Sequence, residues 1–332
     1  MKARVVSGMR PTGQLHIGHL VGALSNWVRL QDTYDCFYFV ADWHALTSEY
    51  QSTDALVANG YDMVADWIAA GLDPEKSTFF VQSLVPEHAE LFLLLSMVVP
   101  VPWLERVPTY KEQQENLKDR DLSTLGFLGY PLLRTADVAM YDARFVPVGD
   151  DQVAHLELAR EAVRRFNNVF GVDVLVEPQP LLTAMSRLPG LDGDKKMSKS
   201  LGNTIQLGDD ADTVTKRVRS MYTDPKRIRA DIPGTVEGNP VFVYHDTFNP
   251  DKAEVEDLKT RYRAGKVGDV EVKTKLARAL NAHLEPIRAR RADVLAKPGY
   301  IREILHEGSK KARKIAHETM ERVRDAVKLR YA

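Results

Sequence analysis

Arg10-Pro-Thr-Gly-Gln-Leu-His-Ile-Gly-His19 stands between the apolar pair Val5-Val6 and a periodic apolar segment running from Leu20 to Leu30. It reads as a strand that ends, a glycine-rich turn, and a helix whose first turn carries two histidines. A helix start leaves backbone N–H groups without partners and carries the positive end of the macrodipole, so an anion is stabilised there. Gly13 and Gly18 have no Cβ to hinder a sharp turn or the close approach of a ligand. His16 and His19, three residues apart, share one face and can donate to phosphate oxygens. Taken alone, the string fits a polar helix start equally well, so the surrounding chain has to decide.

Working outward, short apolar runs alternate with longer helical ones as far as about residue 180. The spacing predicts strands at Arg4 to Ser7, Cys36 to Ala41, Thr78 to Gln82 and Arg144 to Val148. Helices are expected at Gly18 to Asp32, Thr53 to Ala70, Pro86 to Val99, Pro131 to Tyr141 and Asp151 to Val169. Thr53 suits a helix start, and Gly71 and Gly171 suit helix ends. The alternation implies an α/β fold, a doubly wound parallel sheet of Rossmann-like form with helices on both faces. Ligands of such sheets bind beyond the carboxyl ends of the strands. Gly8 to Thr12, Asp42 to His44, Ser83 and Gly149 to Gln152 are therefore expected to converge on one crevice.

From Leu188 to Asn203 the chain is rich in Gly, Lys and Ser and reads as an exposed loop. Within it, Lys196-Met-Ser-Lys-Ser200 sets two ammonium groups three residues apart, able to follow a phosphate group as the loop closes. A solvated lysine turn is the plainer reading of the five residues in isolation. A helix follows from Ala211 to Tyr222, then a proline-rich stretch from Thr223 to Pro250 that reads as an irregular connection. Two long helical patterns, Val270 to Ala296 and Pro298 to Leu329, close the chain. Residues 1–208 are thus expected to form a catalytic domain and 209–332 a helical domain, the last helix being able to pack back on the first.

The chain has 332 residues, 44% hydrophobic and 27% charged, as in a soluble globular protein of about two domains. Its one cysteine, Cys36, opens an apolar run and excludes a disulfide framework within the chain and any multi-cysteine metal site. The N-terminal Met-Lys-Ala-Arg-Val-Val lacks a long apolar segment, and no apolar stretch is long enough to span a bilayer. A cytoplasmic protein with no membrane contact is expected. Net charge is −1, yet Pro286 to Ala332 holds 13 Lys and Arg against 6 Asp and Glu. This basic end hints at a polyanion, although solvated helix faces are the usual cause.

His16-Ile-Gly-His19 and Lys196-Met-Ser-Lys-Ser200 resemble, in order and separation, the two signatures of class I aminoacyl-tRNA synthetases. Val146-Pro-Val-Gly-Asp-Asp-Gln-Val-Ala-His155, Tyr130-Pro-Leu-Leu-Arg-Thr-Ala-Asp137 and Asn26 to Leu30 are similar to segments of the tryptophanyl branch. The likeness spans most of the chain and is weakest from about Asp224 to Gly268. It implies activation of L-tryptophan by ATP, with Mg²⁺ carried on the phosphates, and transfer to tRNA(Trp) by a homodimer. His16, His19, Lys196 and Lys199 would serve catalysis. Arg10, Pro11, Thr12, Gly18, Gly149, Asp150, Asp151, Leu188, Met197, Ser198 and Ser200 would complete the ATP site, Asp151 taking the ribose hydroxyls.

The resemblance further implies that Asp137 accepts the indole N–H and Gln152 holds the amino group, with Tyr130 close by. Val6, Met9, His44, Val146 and Val148 would wall the pocket. Two residues depart from the pattern: Arg134, where Met or Gln is usual, and Arg10, where Gln is common. A guanidinium beside an indole is costly unless paired or turned outward. Arg10 adds positive charge where the α-phosphate is expected. Lys111 could assist with pyrophosphate, whereas Lys118 and Arg120 read as solvated surface. The alternatives are a tyrosyl enzyme, disfavoured by Val5-Val6-Ser7 where a tyrosine would help hold a phenol, and a tryptophan- or RNA-binding paralogue that charges no tRNA.

Overall fold

The computed structural model describes residues 2–107, 122–149, 153–182, 188–193 and 197–331. Five parallel strands, β1 Arg4–Met9, β2 Asp35–Val40, β3 Ser77–Val81, β4 Phe145–Val148 and β5 Gln179–Leu182, lie in the order β3-β2-β1-β4-β5. β1 pairs with β2 from Arg4↔Asp35 to Met9↔Val40, and with β4 at Val5↔Phe145. The winding therefore reverses between β1 and β4, and the crevice beyond their carboxyl ends is the natural ligand position.

The first helix, α1, joins Ile17–His19, a π-helical stretch Leu20–Leu24, and Ser25–Leu30. Next come α2 Asp42–Glu49, α3 Leu56–Ala70, α4 Glu87–Ser96, α5 Val101–Glu105, α6 Leu125–Ala139 and α7 Val153–Phe170. Beyond β5 the described chain is largely helical: α8 Ala211–Arg219, α9 Pro240–Phe248, α10 Lys252–Arg263, α11 Asp269–Leu295 and α12 Tyr300–Ala326.

Alternation along β2 explains why both faces of the sheet are covered. Cys36, Tyr38 and Val40 enter one apolar cluster with Trp27, Trp67 and Val5, while Phe37 and Phe39 enter the other with Phe80, Tyr141 and Val6. Cys36 is completely buried, and burial pushes its thiol up to about 11.

The sequence pattern missed one strand and several helices, each for a local reason. β5 is four residues long and contains Pro180, which is tolerated because β5 is an edge strand. α6 begins at Leu125 rather than Pro131, because Thr124 caps it by accepting the Phe127 N–H at 3.2 Å. α9 lies inside the stretch read as irregular: Asn239 caps it through the Val241 N–H at 3.0 Å and Pro240 occupies its first position. The prolines there start a helix as well as separating elements.

α12 runs back along the exposed side of β3. A Cβ at Gly308 would stand 1.8 Å from the Phe79 carbonyl oxygen, so only glycine lets the helix and strand backbones meet. Beside it, Ser309 Oγ accepts the Val81 N–H at 3.1 Å and donates to Leu305 O at 2.6 Å. The helix thereby covers and partly satisfies an edge that would otherwise offer unpaired backbone groups.

Candidate active site

β1 delivers the chain into the Arg10 to His16 turn, and α1 begins at Ile17, one residue before the Gly18 expected from the sequence. His16 is the N-cap of α1, not part of its first turn. His16 Nδ1 accepts the Gly18 N–H at 3.2 Å, and His19 Nδ1 accepts the His16 N–H at 3.2 Å. This reciprocal cap occupies the Nδ1 atoms as acceptors, so each neutral ring carries its proton on Nε2, where it can donate to an oxyanion. The rings lie 3.8 Å apart, centre to centre.

The second lysine of the Lys196 to Ser200 string reaches the same turn: Lys199 Nζ donates to Thr12 O at 3.0 Å. Met197 is buried, and a Cβ on Gly18 would meet its sulfur at 3.1 Å and the His16 ring at 2.9 Å. Burial lowers the Lys199 pKa, an effect opposed by the carboxylates of Asp66 and Asp62. The segment after the loop returns to the turn as well, with Ile17 N–H donating to Ile205 O at 3.0 Å and Leu207 N–H to Leu15 O at 2.8 Å. Leu188 is buried at the start of the loop, Ser198 N–H donates to Asn203 Oδ1 at 2.8 Å, and Gly149 is buried at the end of β4.

Next to this turn, beyond β1 and β4, lies a cavity of about 240 Å³. Its walls include Val6, Arg10, His44, Tyr130, Arg134, Asp137 and Val146. Val148 is buried but lies outside these walls, as does Met9. Arg10 Nη2 hydrogen-bonds Ser48 Oγ at 2.5 Å and stands 3.7 Å from Glu49 Oε1, so α2 holds its guanidinium at the cavity wall. Asp42 and Ser83, expected in the same crevice, instead bond to each other, Ser83 N–H to Asp42 Oδ1 at 3.1 Å, and border a separate cavity.

Asp137 is 1% exposed and surrounded by donors. Gln82 Nε2 and His88 Nδ1 each lie 2.7 Å from Oδ1, and His44 Nε2 lies 2.7 Å from Oδ2. His88 Nε2 is 2.6 Å from the Tyr141 hydroxyl. Burial keeps that phenol protonated, so it donates to Nε2 and leaves the His88 proton on Nδ1, facing Asp137. Burial pushes the Asp137 carboxyl upward, but electrostatic attraction to His44 and the hydrogen bonds of His44 and His88 outweigh this and hold it below the usual carboxylate range. An ionised carboxylate offers about four acceptor positions, and these three donors leave about one on the Oδ2 side. The cavity thus presents an anionic acceptor between an apolar wall of Val6, Phe39, Val138 and Val146 and a polar one that includes Arg10 and Arg134, suited to an amphipathic ligand with an apolar body and an N–H.

The model of the tRNA synthetases class I (W and Y) family matches residues 1–285. The chain belongs to that family. It is 48% identical to the tryptophan–tRNA ligase of Treponema pallidum over 328 residues, covering 98% of this chain and 97% of that protein. With the ligase of Thermotoga maritima it shares 48% over 329 residues, covering 99% and 100%. The tryptophanyl-tRNA synthetase of Campylobacter jejuni, solved as a complex with ADP and tryptophane, superposes with a TM-score of 0.86 at 35% identity, covering 98% of this chain and 99% of that one.

In this family member the donors that fix Asp137 were not anticipated from sequence. Gln82 follows β3 directly and His88 lies early in α4, 55 and 49 residues from Asp137, while Tyr141, which donates to His88, stands just after α6. A histidine two residues after Pro86, between Glu87 and Glu90 at the head of an apolar run, was the available signal. Lys196, Asp150, Asp151, Gln152, Lys111, Lys118 and Arg120 lie outside the described residues, as does the Ser200 side chain.

Part of the basic C-terminal end is engaged in ion pairs within the chain. Arg313 pairs with Glu87 at 3.0 Å, Arg322 with Asp142 at 2.7 Å and Arg324 with Glu90 at 2.5 Å. Three of its cations thus fasten α12 to the sheet region instead of facing a partner.

Proposed function

We propose that this chain activates L-tryptophan with ATP and charges tRNA(Trp) with it. The observation that carries this reading is the buried, ionised Asp137 in a cavity of indole size, in a chain whose full-length relatives are tryptophan–tRNA ligases. Asp137 accepts the indole N–H, with Tyr130, Val6, Val146 and His44 around the ring and Gln152 on the amino group. The substrate carboxylate oxygen attacks the α-phosphorus of ATP; a new O–P bond forms, the bond to pyrophosphate breaks, and tryptophanyl-adenylate results. The 2′-hydroxyl of the terminal tRNA adenosine then attacks the acyl carbon, and AMP leaves.

No protein nucleophile takes part, so the residues act by positioning and by stabilising phosphoryl charge. His16 and His19 donate from Nε2, Lys196 and Lys199 follow the departing pyrophosphate, and Gly149, Asp150 and Asp151 hold the ribose. Arg10 lies beside the carboxyl group as it becomes attached to phosphorus. Magnesium carried on the ATP phosphates would supply further neutralisation.

Residues 1–208 act as the catalytic unit and 209–332 as the anticodon-binding unit. The chain works in the cytoplasm as a homodimer. Exposed Leu93 of α4, Met97 just after it, Val101 of α5 and Leu125 of α6 support a surface for the second copy, on elements that pack together. Charging of a tRNA pool with labelled tryptophan tests the reading: acid-precipitable tryptophan on tRNA(Trp) alone is expected, and failure to charge overturns it in favour of a binding paralogue.

A further inference from the structure

Asp66, on α3, is a fully buried carboxylate that forms no part of the tryptophan cavity. Its Oδ2 accepts the Leu15 N–H at 2.8 Å, directly before His16 in the ATP turn. Its Oδ1 lies 2.7 Å from Nε of Arg291, which comes from α11 in the C-terminal helical region. The same guanidinium reaches Asp62 Oδ1 with Nη2 at 2.6 Å, and its neighbour Arg290 donates to Ala69 O at 2.7 Å. Two successive arginines therefore fasten α11 to one face and the carboxyl end of α3.

Arg291 also lies beside the return segment of the lysine loop, since a Cβ built on Gly208 would lie 3.6 Å from its Nε. That segment pairs with Leu15 and Ile17 just before Gly208. The Asp62 and Asp66 carboxylates also act on Lys199, opposing the burial that lowers its pKa. One acid pair is thus shared between a cation of the helical region and a cation of the lysine loop. A buried ion pair adds little stability over a well-packed apolar pair of equal volume, so stability alone does not account for it.

We propose that Asp66 and Arg291 are positioning residues for the ATP-dependent step: through the Leu15 N–H they set the turn that carries His16 and His19, and tie its placement to the C-terminal helices. The proposal rests on the tryptophan-activation reading and adds a link from the helical region to the nucleotide site. Breaking the link lets the turn and the lysine loop shift relative to each other, while the Asp137 cavity, which takes only Arg10 from that turn, keeps the walls supplied by β1, β2, β4, α2 and α6.

The test is ATP–pyrophosphate exchange by the full chain, with ATP affinity measured separately by calorimetry, for Asp66→Ala, Asp66→Asn, Arg291→Met and Arg291→Lys. Loss of a charge-assisted hydrogen bond to the turn predicts that Asp66→Ala raises the KM for ATP about tenfold or more, with the KM for tryptophan unchanged. Asp66→Asn keeps one carbonyl oxygen for the Leu15 N–H and falls between; Arg291→Lys recovers most of what Arg291→Met loses. A folded Asp66→Ala with wild-type ATP parameters, or with equal losses towards ATP and tryptophan, overturns the proposal. If Asp66→Ala does not fold, an unchanged ATP KM in Arg291→Met overturns it. Absence of exchange in the wild type refutes the activity reading instead; equal ATP affinities of wild type and Arg291→Met by calorimetry then overturn the link independently.

Discussion

Replacing Asp137 by Asn keeps the shape of the side chain and removes its charge. Every group on the native carboxylate is a donor: Gln82 Nε2 and His88 Nδ1 at Oδ1, His44 Nε2 at Oδ2, each at 2.7 Å. An amide has one oxygen, so it can keep the Gln82 and His88 bonds only by turning its NH₂ towards His44 and the indole N–H. The substrate donor then meets a donor, leaving a buried polar group unpaired at a cost of about 1–3 kcal/mol. In affinity that is a loss of roughly five- to 150-fold for tryptophan. The assay is tryptophan-dependent ATP–pyrophosphate exchange, with the KM for tryptophan rising by that factor and the KM for ATP unmoved. A wild-type KM for tryptophan in folded Asp137→Asn refutes the assignment.

Three further outcomes follow from other parts of the molecule. Gly308→Ala places a methyl group 1.8 Å from Phe79 O, forces α12 off β3, and is expected to cost about 1–3 kcal/mol or more, read as a lower unfolding midpoint; an unchanged midpoint contradicts the close contact. Hydrogen bonding by Asn249, against an opposing effect of burial and with help from Arg278 and Lys275, holds the Glu254 carboxyl at about 2 from an ordinary 4.5. Because the folded-state value is the lower one, its stabilisation is complete above about 4.5 and is lost as pH falls towards 2, so Glu254→Gln should flatten the acid limb of thermal stability; an identical limb contradicts this. Arg10→Ala is expected to slow exchange, and normal ATP affinity and turnover in that variant contradict its placement beside the activated carboxyl group.

The turn from Arg10 to His19 was readable from sequence as a strand end, a turn and a helix start because its signals are local: glycines, two histidines and a strand end lie within about ten residues. The same holds for β1 to β4, whose apolar runs are continuous because both faces of the sheet are covered. β5, with a proline in four residues, and α9, which a proline helps to start, gave the opposite local signal from their structures. Asp137 could be singled out only through resemblance, and its supporting donors were not legible at all. Gln82 and His88 reach it across 55 and 49 residues, a pairing that only the packing of α4 against α6 creates. Asp66 left a faint trace, as one acid within the apolar run Met63-Val-Ala-Asp-Trp67, but its partner Arg291 is 225 residues away.

ATP–pyrophosphate exchange by the wild-type chain, driven in parallel by tryptophan and by tyrosine, tests the central claim most directly. Exchange with tryptophan and background counts with tyrosine are the predicted result, because the cavity offers one acceptor to an indole N–H. Exchange driven by tyrosine, or by neither amino acid, would contradict the account.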